Sequence, residues 1–327
     1  MSVSYLEKLM LRLIVGASAL PERVIRRHVQ FVLDRQQADG GWAGREGATD
    51  PYYTSFALRI LAMAGQLHGE VAERSARFLA QRTQGHETVV DLLSLIYSAK
   101  LIEASCGLDP LAHLPEGWQS RVAGLLEQLR CADGGYGKTI DAMVGSTYQT
   151  FLSVLCYELL ELPIPDRQSI VRFLLEQRQV DGGFLEIRVA KRSGANPTAA
   201  AVATLQTLQQ LPESMAEAAG EFLGTLQTDE GGFTANTRIP VPDVLSTFTS
   251  ALTLADLGYL DRADGPSVER YVLSMERPTG GFAGFEYDPS EDVEYTFYGL
   301  GTLAVLRSVA AAPPGASVGL ATDQESH

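Results

Sequence analysis

A pair of glycines followed by an aromatic residue returns through the chain at a nearly constant interval, and this repeat constrains the fold more than any other feature. It stands at Gly40-Gly41-Trp42, Gly134-Gly135-Tyr136, Gly182-Gly183-Phe184, Gly231-Gly232-Phe233 and Gly280-Gly281-Phe282, with Gly85 as a degraded copy. The first glycines follow one another at 45, 49, 48, 49 and 49 residues. Self-similarity at such a period is the mark of stacked supersecondary units that share one core. Each copy has the same local pattern, as in RQQADGGW, LRCADGGY, RQVDGGF and LQTDEGGF. A polar helix runs into an acidic residue, and glycine, which accepts left-handed backbone angles, ends it. The aromatic is expected to fill the gap between neighbouring helix pairs.

After a short polar loop a second helix is predicted in each copy, over 54–64, 89–101, 150–162, 198–208, 247–257 and 296–309. These segments are apolar on nearly every face, which marks a buried helix, whereas 75–84 and 167–177 carry charge on one face only. The expected fold is all-α: an inner ring of six buried helices inside an outer ring of six amphipathic ones, a closed α/α toroid occupying residues 1–309. Periodicity alone is equally compatible with an open solenoid. The polar, Pro-containing tail 310–327 is expected to be disordered.

Composition narrows the function classes. The formal charge of −14 over 327 residues repels phosphate backbones and anionic surfaces, so nucleic acid is not an expected partner. Cys106, Cys131 and Cys156 form no CxxC pair and read as buried thiols of a reducing compartment. No apolar run is long enough for a membrane span. The stretch 9–20, interrupted by Arg12, reads as an amphipathic entry helix rather than a signal segment, and a cytoplasmic setting follows.

The Gly-Gly-aromatic period, with MAGQLH (63–68), DLLSLIYSAKL (91–101), AVATL (201–205), VPDV (241–244) and EYTFYGLGTL (294–303), resembles the prenyltransferase and squalene-cyclase repeat superfamily. Within it the chain is similar to the β subunit of protein prenyltransferases, above all the type II (Rab) geranylgeranyltransferase. The likeness extends from about residue 49 to residue 306. It implies alkylation of a protein cysteine by an isoprenoid diphosphate, with zinc holding the acceptor thiolate, since thiolate is the nucleophile. It also implies a helical partner subunit; self-association is the other possibility.

Residue by residue, the implied zinc site is incomplete. Asp243 of PDVLSTF falls on the carboxylate ligand, but Leu245 stands at the cysteine position and Tyr295 at the histidine position. Leucine has no ligand atom and a neutral phenol is a poor one, so no zinc or other cofactor is expected. The diphosphate site is thinned as well. Arg238 remains, shifted by one position, while Pro240 replaces the lysine, and the histidine position falls at Ser193 or Gly194. Lys191 and Arg192 nearby read as solvated loop charges.

Class II cyclases share such repeats and use a D-x-D-D acid, which is absent here. Asp292 and Asp91, the latter near His86 and Glu87, are the candidate acids. A capping role competes, because Asp50, Asp243 and Asp292 each stand four residues before a Thr. Paired carboxylates also keep glycoside processing open, but Trp42 and Trp118 are not placed as sugar platforms. Tyr53, Phe56, Tyr148, Phe151, Phe248, Tyr295, Phe297 and Tyr298 recur near one level of the inner helices. With Arg238 for the diphosphate, Tyr148, Phe151, Phe248, Tyr295 and Phe297 are the expected lining of an aromatic central cavity for an isoprenoid or its diphosphate. Divergent prenyl transfer, cyclisation and non-catalytic binding as a scaffold all use such a cavity.

Overall fold

The computed structural model describes residues 3–83 and 88–310 of the chain. The degraded repeat at Gly85, the His86–Glu87 pair and nearly all of the tail 310–327 lie outside the described residues. The inner helices are α3 (Pro51–Met63), α5 (Val89–Cys106), α7 (Thr147–Leu159), α9 (Ala195–Thr207), α11 (Val244–Leu257) and α13 (Val293–Ala310). Between them run the outer helices α2 (Glu22–Leu33), α4 (Gly69–Gln81), α6 (Trp118–Gln128), α8 (Arg167–Gln177), α10 (Glu213–Gly224) and α12 (Gly265–Ser274), and α1 (Tyr5–Ser18) precedes them all. The inner helices pack in chain order, and α13 packs on α3, so the ring is closed. A two-stranded ladder, Phe282–Ala283 with Glu291–Asp292, and isolated bridges at the equivalent points of other repeats are its β content.

The inner helices start about three residues earlier than the sequence suggests, α5 excepted. The threonine that reads as a helix start sits inside the first turn and holds the glycine motif in place. Thr54, Thr150, Thr198, Thr247 and Thr296 each accept, on Oγ1, the backbone N–H of the aromatic in their own repeat, at 2.9–3.1 Å. A buried N–H that would otherwise be orphaned is thereby satisfied in five repeats. The aromatics themselves, Trp42, Tyr136, Phe184, Phe233 and Phe282, are fully buried, as expected of plugs.

The glycine pair is not a helix cap. In the fourth repeat α8 ends at Gln177, and Gly182 lies in a tight turn in which Gln179 N–H donates to the Gly183 carbonyl. Gly182 has φ +89° and faces the Ala218 carbonyl of α10, which a Cβ would meet at 2.3 Å. The first glycine of each described motif presses in the same way on the next outer helix. The last, Gly280, presses on the Arg27 carbonyl of α2, which closes the outer ring as well.

The entry helix is present and has a specific place. A capping box between Ser4 and Glu7 starts it. It crosses the C-terminal opening of the inner ring: Tyr5 N–H donates to Glu158 of α7, Arg12 pairs with Asp256 of α11 at 3.0 Å, and Gly16 abuts Ala304 of α13. Its outward face, with Leu11, Ile14 and Val15, is exposed and apolar.

Burial lifts the pKa of Asp256 to about 6, against the pull of Arg12 and Lys8. That lies above the value of about 3.9 for an unfolded Asp, so folding favours the protonated form. The associated stability is complete below about pH 4 and lost as pH rises through 6. The melting temperature is expected to rise from pH 7.5 to pH 5.5, and to rise less in Asp256→Asn. An identical slope in the variant contradicts this assignment.

Candidate functional site

All inner helices run in one direction, so their N-termini gather at one mouth. The loops leading into them are stitched into a rim: Thr147 N–H donates to the Glu186 carbonyl, Ala195 N–H to Ala235 and Val244 N–H to Gly284, at 2.8–2.9 Å. Arg45 joins the first loop to the last through a two-pronged pair with Asp288 (2.6 and 2.8 Å) and a bond to Asp292 (2.9 Å). Met143, Val189, Ile239 and Tyr287 are exposed along this rim. So is Arg238, whose backbone N–H donates to Asn236; none of the ion pairs or ring contacts among the described residues involves its side chain. Lys191 and Arg192 are exposed there too, while Ser193 is buried and donates to Asp181.

The acidic residues of the mouth are committed to the helices they start. Asp50 accepts from Tyr53 N–H, Asp243 from the N–H and hydroxyl of Ser246, and Asp292 from Tyr295 N–H. Asp91 accepts from the Thr88 hydroxyl, which accepts in turn from Asp91 N–H. Burial raises the pKa of Asp292, but it is 6% exposed and holds both a helix N-terminus and Arg45. Geometry thus gives Asp292 the competing capping role, whereas α5 is capped by Thr88 and the Asp91 carboxylate is tied to the Thr88 hydroxyl.

The positions implied for zinc do approach one another. The Val244–Gly284 bond joins the start of α11 to the loop before α13, and the Tyr295 ring packs on Gly284. The donor set does not fit the metal. Both oxygens of Asp243 are engaged by Ser246, Leu245 offers none, and burial with nearby carboxylates pushes the Tyr295 phenol up to about 12. Arg45 lies over the Tyr295 ring at 5.3 Å, an unfavourable neighbour for a cation. No group of three or more His, Cys, Asp and Glu side chains suited to a metal occurs among the described residues.

Inside the mouth the aromatics divide into two sets. Phe56, Phe248, Phe297 and Tyr298 pack on one another with ring centroids 5.3–5.7 Å apart and are 1–9% exposed. Phe248 and Phe297 are therefore part of a packed cluster rather than an open wall, because edge-to-face contacts between rings use the surface expected to face a cavity. Tyr148, Phe151, Tyr52 and Tyr295 keep accessible faces. Tyr148 is 39% exposed, yet desolvation raises its pKa. Phe151 meets the Tyr5 ring of α1 edge-on at 5.6 Å, which places α1 as the floor of the lumen.

Two charged residues of the inner helices carry no site motif in the sequence. Glu294 accepts from Tyr52 (2.6 Å) and Tyr298 (3.3 Å), and desolvation raises its pKa. Arg59 of α3 lies among Phe56, Tyr97 and Phe297. A lone charge inside the apolar run TSFALRILAM, and an acid one residue before the Tyr295 position, were the available signals. A pocket of about 570 Å³ on the outer wall, lined by Arg167, Val171, Arg172 and Leu208, is far from this chemistry.

The sequence matches the prenyltransferase alpha-alpha toroid domain over residues 13–79 and 95–309. The chain belongs to that family. Solved structures share the toroid. Protein geranylgeranyltransferase-I from Candida albicans, complexed with GGPP, is 16% identical with a TM-score of 0.69, over 86% of this chain and 90% of that one. A type II terpene cyclase MstE variant from Scytonema, in complex with geranylgeranyl dihydroxybenzoate, is 13% identical with a TM-score of 0.61, over 93% and 99%. A possible GH105 member from Klebsiella pneumoniae is 14% identical with a TM-score of 0.57, over 88% and 91%. At these identities the likeness is one of fold. No helix among the described residues is long and apolar enough to cross a membrane.

Proposed function

We propose that this toroid binds an isoprenoid chain in its lumen and that it does so without the zinc–thiolate chemistry of protein prenyltransferases. The observation that supports this reading is the aromatic level of the inner helices, in which Tyr148 is exposed and Phe151, half-buried, packs edge-on against Tyr5 of α1. Aromatic and aliphatic walls suit a branched polyene, whose binding is dominated by apolar burial. Family membership supports it, as do neighbours whose ligands are GGPP and geranylgeranyl dihydroxybenzoate. The ancestry we infer is that of a prenyltransferase β subunit, nearest the type II branch, from the motifs around Asp243 and Tyr295. Leu245 and Tyr295 remove the means of activating a thiol there.

A cyclase reading has one observation in its favour. Glu294 is a desolvated carboxyl with a raised pKa, beside the packed rings of Tyr298 and Phe297. A desolvated carboxyl that gains a proton can pass it to an alkene, and neighbouring ring faces stabilise the cation formed. Glu294, rather than Asp292 or Asp91, is then the acid.

Purified protein mixed with geranylgeranyl diphosphate and a cysteine-terminated peptide separates these readings. Bound lipid with no diphosphate release, unchanged by added zinc, is the expected result. Peptide-dependent diphosphate release that requires zinc contradicts it. A cyclic product that keeps its diphosphate favours the Glu294 reading.

A further inference from the structure

Among the described residues, one cation of the inner helices has no acidic side chain within ion-pair distance. Arg59 occupies the third turn of α3, a helix otherwise composed of apolar, small and hydroxyl residues. Its guanidinium carbon stands 4.8 Å from the Phe56 ring centroid, 4.9 Å from Tyr97 and 5.5 Å from Phe297. Its Nε is buried and donates to nothing. Arg12 pairs with Asp256, Arg45 with Asp288 and Asp292, Arg130 with Glu127 and Arg307 with Glu269, while the half-buried Arg74 and Arg277 donate to backbone carbonyls. Arg59 has no carboxylate within ion-pair distance among the described residues. Ring faces offset part of the cost of burying a guanidinium, but they satisfy none of its N–H groups. A planar anion placed against it would.

Its depth is fixed by its neighbours. The Tyr97 hydroxyl reaches the Leu6 carbonyl of α1 at 3.5 Å, so Arg59 lies between the packed rings and the floor. It is well inside the rim that carries Arg238. We propose that Arg59 receives the charged end of the lumen ligand and that this end is a carboxylate, making the ligand an isoprenoid carboxylic acid inserted head first. This rests on the isoprenoid reading above and reverses the polarity that places a diphosphate at the rim beside Arg238. A guanidinium fork takes both oxygens of one carboxylate in its plane, and one positive charge balances one negative charge. A diphosphate brings further negative charge into a space that already holds Glu294, which is close enough to Arg59 for the two to interact electrostatically. The chain then extends upward past Tyr148 and Phe151, its apolar body in contact with rings along the way.

The test is titration of the full chain with geranylgeranoic acid, geranylgeraniol and geranylgeranyl diphosphate, in wild type, Arg59→Gln, Arg59→Lys and Arg238→Ala. The acid is expected to bind wild type on the order of tenfold tighter than the alcohol, as for a hydrogen bond to a charged partner. Arg59→Gln should remove that difference while leaving alcohol binding in place, Arg59→Lys should retain part of it, and Arg238→Ala should leave it unchanged. Circular dichroism shows whether each variant is folded, and the wild-type ratio of acid to alcohol stands whatever the variants do. Alcohol binding with no advantage for the acid, or an advantage that survives Arg59→Gln, overturns the Arg59 assignment and spares the isoprenoid reading. A diphosphate that binds tighter than the acid and loses affinity in Arg238→Ala also overturns it, in favour of an anion at the rim. Failure of every ligand, alcohol included, overturns both.

Discussion

Gly182→Val is expected to destabilise the toroid by about 3 kcal/mol or more, a large share of the stability of an ordinary domain. Two costs combine. The residue holds φ +89°, which a β-branched side chain adopts only under strain, and its Cβ would meet the Ala218 carbonyl oxygen at 2.3 Å. That oxygen belongs to the backbone of α10, so relief requires moving a helix rather than turning a side chain. Gly124→Ala is the matched control: it lies within α6, meets nothing within 4 Å, and should be neutral or slightly stabilising. Denaturant midpoints measure both. Equal small effects would mean that the glycine motif is not what spaces the outer helices.

The same glycines show how far the sequence could be read. Their period was legible because each repeat must solve the same packing problem, an outer helix laid against a turn. What they do there was less legible. The left-handed angle and the backbone contact belong to the first glycine, while the second is crowded by a side chain, Phe222 in the case of Gly183. Ring closure depends on Gly280 reaching Arg27, a contact across 253 positions of chain that no local pattern encodes. Helix starts were displaced because Thr198 and its equivalents look like first residues while serving as acceptors one turn inside.

At the mouth, the placing of helix starts was legible in the sequence; the charges within the inner helices were not. Motif matching brought Asp243 and Tyr295 to neighbouring places, because the loops before α11 and α13 are adjacent. It looked for charge at the mouth, where helix starts gather acids for capping, and so weighted Asp292, Asp91 and Arg238. Arg59 and Glu294 sit within helices whose neighbours are apolar, and only three-dimensional placement brings them close enough to interact. Which rings pack together and which stay open is likewise a matter of angles: Phe297 is buried at 1% while Tyr148 is not.

The central claim is that the lumen holds an isoprenoid chain, and the measurement that bears on it most directly uses ligands without charge. Geraniol, farnesol and geranylgeraniol differ only by five-carbon units. Each buried CH₂ contributes about 0.8 kcal/mol, so a fully buried five-carbon unit is worth about 4 kcal/mol, up to about a thousandfold in affinity, while the lumen can enclose it. The order expected from calorimetric titration is geranylgeraniol, then farnesol, then geraniol, with a negative heat-capacity change that grows with chain length. Equal affinities across the three alcohols, or binding of none of them, would contradict the account.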